Sequence, residues 1–147
     1  MSEPPPISPN EADLPAWANK LLAAWNVHDS EQILAFYADD YTGVDISEMA
    51  LRHGLMGVQQ QVNRYLRAFP DLHITADAWV AQSNRVALTW TAQGTHQGEL
   101  MNIPPTGRHV QVRGMSMLTV RNGKISHAFC LWDVAGLLRS IGLLPEL

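Results

Sequence analysis

Gly94-Thr95-His96-Gln97-Gly98-Glu99-Leu100-Met101-Asn102-Ile103-Pro104-Pro105-Thr106-Gly107-Arg108 separates two runs in which apolar and polar residues alternate, Arg85 to Gln93 and Val110 to Val120. Alternation with period two is the mark of a strand with one buried face. The stretch therefore reads as a strand, a Pro-Pro-Thr-Gly turn and a second strand. Working outward, Asn122-Gly123 lies between Val110–Arg121 and Lys124–Trp132. Asn-Gly tolerates the positive φ of a type I′ turn, the strongest short hairpin signal. On the other side, His73–Ala81 is a strand joined through Ser83-Asn84 to Arg85–Gln97.

Upstream the period changes to that of helices. Trp17, Leu21, Leu22 and Trp25 predict a helix over about 14–27, with Asp13 as N-cap and Pro15 in its first turn. Ser30 is read as the cap of a short second helix bearing Ile33, Leu34 and Tyr37. Tyr41–Ile46 is a short strand. A third helix spans about Val58–Phe69, with Val62, Tyr65, Leu66 and Phe69 inward, and Phe69-Pro70-Asp71 ends it. A final short helix covers Val134–Ile141, before Gly142. Helices first and strands afterwards is an α+β pattern. A sheet of about four long strands, twisted and curved over helices, leaves a concave mouth suited to a ligand.

The 147 residues fit one domain, taken as 12–147, behind a Pro- and Ser-rich tail at 1–11. A chain of this size buries roughly 70% of its unfolded surface and folds without disulfide or metal. The single cysteine, Cys130, excludes an intrachain disulfide and suits a reducing, cytoplasmic setting. Net charge is −4 and the ten Lys and Arg are scattered, which argues against nucleic acid as a partner. No apolar run approaches the roughly 20 residues of a membrane span, and the N-terminus lacks the features of a signal peptide.

Several strings occur in the order found in one family: Trp25-Asn26-Val27-His28-Asp29, Ala68-Phe69-Pro70-Asp71-Leu72, Gly94–Gly107, Asn122-Gly123-Lys124-Ile125 and Trp132-Asp133-Val134-Ala135-Gly136-Leu137-Leu138. Together they resemble the SnoaL-like polyketide cyclases of the NTF2-like superfamily, from about Trp17 to Gly142. The resemblance implies a curved antiparallel sheet, a barrel-like cone packed on three N-terminal helices, and a pocket for a hydrophobic small molecule. It also implies homodimers formed through the outer sheet face. The chemistry implied is cofactor-free and metal-free: a side chain removes a proton beside a carbonyl, and a ring closes.

Parity places the candidate site residues. Val86, Leu88, Trp90, Ala92, Gly94 and His96 share one face. Val110, Val112, Gly114, Ser116, Leu118 and Val120 share the next, and Ala128, Cys130 and Trp132 the last. Trp90, His96, Ser116, Cys130 and Trp132 are thus expected around the cavity, with Asp45 and His53 reaching in from the first strand and the loop after it. In well-studied relatives an aspartate on the last strand works beside a histidine on the preceding strand. Those positions fall here on Cys130 and Ser116, so the usual pair is absent. Asp45 and His96 are the candidate bases, the alternatives being a turn residue or N-cap for Asp45 and a partly exposed rim residue for His96. Cys130 as a nucleophile has no basic neighbour on its strand, and a buried inert thiol is the alternative. Trp90 and Trp132 either sandwich a flat ligand or are plain core aromatics. Asp133 is read as a helix cap, with a chemical role as the alternative. His96 and His109 flank the Pro-Pro turn, but the six histidines show no His-x-His or H-E-x-x-H spacing for a metal. Two further functions stay open: a hydroxylation-assisting member of the family, and a binding module without chemistry.

Overall fold

The computed structural model describes residues 16–147, so the expectations for the tail, Asp13 and Pro15 lie outside it. The elements run α1 (Ala16–Asn26), α2 (Ser30–Leu34), β1 (Tyr37–Asp45), β2 (Ala50–His53), α3 (Gly54–Ala68), β3 (His73–Gln82), β4 (Arg85–Thr95), β5 (His109–Arg121), β6 (Lys124–Trp132) and α4 (Val134–Ser140). They form an α+β architecture whose six-stranded sheet has the order β2-β1-β6-β5-β4-β3. β3 to β6 are antiparallel neighbours, as the alternation predicts. β1 is the exception and runs parallel to β6. Register shifts at Ala76/Ala78 and Thr119/Val120 mark irregularities of the kind that bend a sheet. The Asn122-Gly123 turn has φ of 53° and 74°, as a type I′ hairpin requires.

Three sequence expectations need correction. Ser30 is the first residue of α2, and the N-cap is Asp29, whose carboxylate accepts from the Gln32 N–H. Asp29 has the extended backbone a cap needs, while Ser30 is already helical. α3 begins at Gly54 rather than Val58, because Gly54, at φ 63°, turns the chain directly from β2 into the helix. β1 begins at Tyr37 rather than Tyr41, so Tyr37 lies on this strand and not on α2, and β2 is an additional strand.

The core lies between the helices and the concave face. Ile33, Val58, Val62 and Ile125 are fully buried there, beneath Leu21, Trp25, Leu88, Leu118 and Leu137. Polar clasps then fix the helices to the sheet. At the end of α1, the Asn26 amide donates to the Ile74 carbonyl and accepts from the Ile74 N–H. His28 Nε2 donates to the Leu72 carbonyl at 2.7 Å. Asp71 accepts from both the N–H and the hydroxyl of Thr95. Gln97 and Gly98 donate to the Ala68 carbonyl at the end of α3. A Cβ on Gly98 would lie 2.1 Å from the Arg67 carbonyl oxygen, so only glycine permits this approach. The strings 25–29, 68–72 and 94–98, far apart in sequence, are therefore one another's partners.

Candidate functional site

A cavity of about 170 Å³ opens between the helices and the concave face. Its walls are apolar: Leu21 and Trp25 from α1, Leu88, Trp90 and Ala92 from β4, Val110 and Val112 from β5, Ala128 from β6 and Leu137 from α4. Polar side chains are the minority and include Asp45, Tyr65, Gln61, Gln93 and Ser116. Asp45 enters from the last residue of β1 and Tyr65 from α3, beside Trp132 of β6.

Asp45 is 8% exposed. Its Oδ1 accepts from the Ser47 N–H at 3.0 Å, and its Oδ2 accepts from the Trp132 indole N–H at 3.3 Å. The Tyr65 hydroxyl lies 3.3 Å from the same Oδ2. Burial, and then the nearby Glu48 carboxylate, push the Asp45 carboxyl above the ordinary range, against the opposing bonds from Ser47, Trp132 and Tyr65. A carboxyl so placed holds its proton more tightly than an exposed one and can both take and give a proton. Ser47 in turn holds Trp132. Its hydroxyl donates to the Trp132 carbonyl and accepts from the Trp132 N–H.

Sequence reasoning did not single out the next layer. Tyr65 donates to Glu48 Oε2, and Arg64 forms an ion pair with Glu48 Oε1. The Tyr65 ring meets Trp132 edge-on, with centroids 6.5 Å apart. A signal was there: a tyrosine on the inward stripe of a helix needs a partner for its hydroxyl.

The remaining expected residues separate into two groups. Trp90, Ser116, Cys130 and Trp132 all line the cavity. Ser116 and Cys130 are cross-strand partners, with Oγ and Sγ 3.2 Å apart. The Trp90 indole N–H donates to Ser116 Oγ at 3.0 Å, so this hydroxyl holds a wall residue in place. Gly114 makes room for that wall, since a Cβ there would lie 2.3 Å from the Trp90 ring. Burial pushes the Cys130 thiol up, the direction of an inert sulfur. His53 and His96 are outside the cavity lining. His53 is exposed at the β2–α3 junction. His96, 2% exposed, packs against Phe69 and is bonded to Thr106. The Thr106 N–H points at His96 Nδ1, so Nδ1 is an acceptor and the ring proton sits on Nε2, which has no partner among the described residues. Asp133 caps α4, accepting from the Gly136 N–H at 2.8 Å. His109 meets Gln93 rather than His96. Among the described residues, no three His, Cys, Asp or Glu side chains are grouped to hold a metal ion.

The chain is similar in structure to AclR, a hydroxylase candidate from Streptomyces galilaeus. They share 30% identity over 90% of this chain and 86% of that one, with a TM-score of 0.79. It is also similar to IdmH, a polyketide cyclase candidate from Streptomyces antibioticus, at 26% identity over 86% and 96% of the two chains and a TM-score of 0.75. A protein of ketosteroid isomerase-like fold from Catenulispora acidiphila shares the fold at 18% identity, covering 90% and 96% of the chains, with a TM-score of 0.78. No curated protein matches. The sequence model for SnoaL-like polyketide cyclases matches residues 17–141. The chain thus belongs to the SnoaL-like polyketide cyclase family, with an NTF2-like fold.

Proposed function

We propose that the protein is an enzyme moving protons on a hydrophobic, carbonyl-bearing small molecule, with Asp45 as acid and base. Cyclisation, isomerisation and dehydration all begin with such a step. One observation carries the reading: a buried carboxyl with raised proton affinity lines a mostly apolar cavity. The cavity volume is close to that of an apolar site of about 150 Å³ that holds benzene, so a ring-sized portion of the substrate fits within it. Trp90 and Trp132 supply aromatic walls, and Tyr65 and the Trp132 indole supply donors beside the carboxyl. His96 takes no part in this proposal.

Deuterium exchange at the carbon beside the carbonyl of small aryl ketones in D₂O tests it by NMR. Exchange by the wild-type protein that Asp45→Asn slows by about 10²-fold or more supports the assignment. Exchange that the substitution leaves unchanged overturns it. Ketone binding without exchange favours the binding-module reading. The likeness to AclR favours a second reading, hydroxylation of the same kind of substrate. The two separate on whether the product gains an oxygen atom, read by mass spectrometry.

The proposal includes a homodimer. Met115 and Met117 on β5 are 42% exposed, and their cross-strand partners Leu131 and Phe129 on β6 are 38% and 40% exposed. This is a contiguous apolar patch on the outer face, of the kind that marks an interface. Sedimentation should give a dimer, and Phe129→Glu should give a monomer that keeps its helix and strand content.

A further inference from the structure

The Tyr65 hydroxyl has one proton and two carboxylates beside it. It contacts Glu48 Oε2 and lies 3.3 Å from Asp45 Oδ2. If both carboxylates were ionised, one would face the lone pairs of the tyrosine oxygen with no proton between them. The arrangement is satisfied when one carboxyl carries a proton and the three groups donate in a single direction.

We propose that Asp45 and Glu48 share one proton through the Tyr65 hydroxyl, with Arg64 fixing the Glu48 end. The inference rests on Asp45 being the working acid and base. In one state the Asp45 O–H donates to the Tyr65 oxygen, and the Tyr65 O–H donates to the Glu48 carboxylate. In the other state Glu48 holds the proton and donates to Tyr65, which donates to the Asp45 carboxylate. Passing from the first state to the second breaks the O–H bonds of Asp45 and Tyr65 and forms new ones on Tyr65 and Glu48. One negative charge moves from Glu48 to Asp45, and no other reactant is needed. Asp45 is then free to take the proton from carbon. Tyr65 and Glu48 act through Asp45 and are positioning residues.

The surroundings add little competing charge. Tyr41 on β1, Tyr65 on α3 and Cys130 on β6 are all pushed up by burial and stay neutral. Arg52 on β2 acts on Tyr41, and Arg64 on α3 is paired with Glu48. Burial and the Glu48 carboxylate favour the proton on Asp45, in line with the first state.

The test is the pH titration of the carboxyl carbons of ligand-free protein, followed by ¹³C NMR. Wild-type Asp45 should titrate in two steps, as a carboxyl coupled to a second group does. Glu48→Gln should leave a single step with a lower midpoint, because the neighbouring negative charge is gone. Tyr65→Phe, which keeps the ring against Trp132, should narrow the gap between the two steps. An unmoved midpoint in Glu48→Gln, or unchanged curves in Tyr65→Phe, overturns the shared proton. A one-step curve for wild-type Asp45 does so even if neither variant folds. Turnover does not enter these curves, so the relay can fail while Asp45 remains the base. Equally, ketone exchange can survive Asp45→Asn while the titration stands.

Discussion

Asp45 and His96 are both buried polar residues, yet they sit in opposite situations. Asp45 looks into a cavity with a tyrosine and an indole beside it. His96 looks into protein, where its ring is wedged between Phe69 and Thr106 and ties the long β4–β5 connection to the end of α3. Burial of a polar group costs free energy in either place. What differs is the return: at Asp45 a perturbed proton affinity facing open space, at His96 a fixed loop.

The comparison breaks most visibly at Asp45→Asn. Ketone exchange should fall by about 10²–10⁴-fold, the usual worth of a general acid–base group. Stability should move the other way. The folded carboxyl is raised above its unfolded value of about 3.9, so its contribution is greatest below that value. It is lost as pH rises through the folded midpoint. Asparagine removes that penalty. Urea unfolding at neutral pH should find the variant at least as stable as wild type, and the difference should shrink towards pH 4. A variant clearly weaker at neutral pH would mean that the carboxylate is structural.

His96→Ala should show the reverse. Removing a fully buried ring and orphaning Thr106 should cost about 2–4 kcal/mol in urea unfolding, while the folded fraction keeps its exchange rate. A stable, folded His96→Ala protein without exchange would erase the distinction. Gly114→Ala sharpens it on the cavity side. The new methyl collides with Trp90, so about 1–3 kcal/mol of stability should go, with weaker ketone binding measured by tryptophan fluorescence. Unchanged binding would show that Trp90 does not shape the cavity.

The two regions were not equally legible in the sequence. Strand parity placed Trp90, Ser116, Cys130 and Trp132 around one cavity, because a period of two survives any bend in the sheet. Asn122-Gly123 and Asp133 carried their own local chemistry, a turn and a cap, and both stand where expected. The same parity rule put His96 with the inward residues but could not say that the concavity ends before it. β4 itself stops at Thr95, and Phe69 covers the ring. Glu48 and Arg64 were silent for a different reason. They lie in an irregular turn and on the polar side of a helix, and acquire meaning only where the β1–β2 turn meets α3. A strand of four residues such as β2 is too short for alternation to stand out.

The parallel pairing of β1 with β6 puts Asp45 directly beside Cys130. The resemblance of the sequence to its family implies an aspartate at the position of Cys130. One spot in the cavity is thus within reach of two strands that are remote in sequence, and a carboxylate can be handed from one to the other without redrawing the scaffold. On the proposed function, the carboxylate that the last strand lacks is supplied from the neighbouring one.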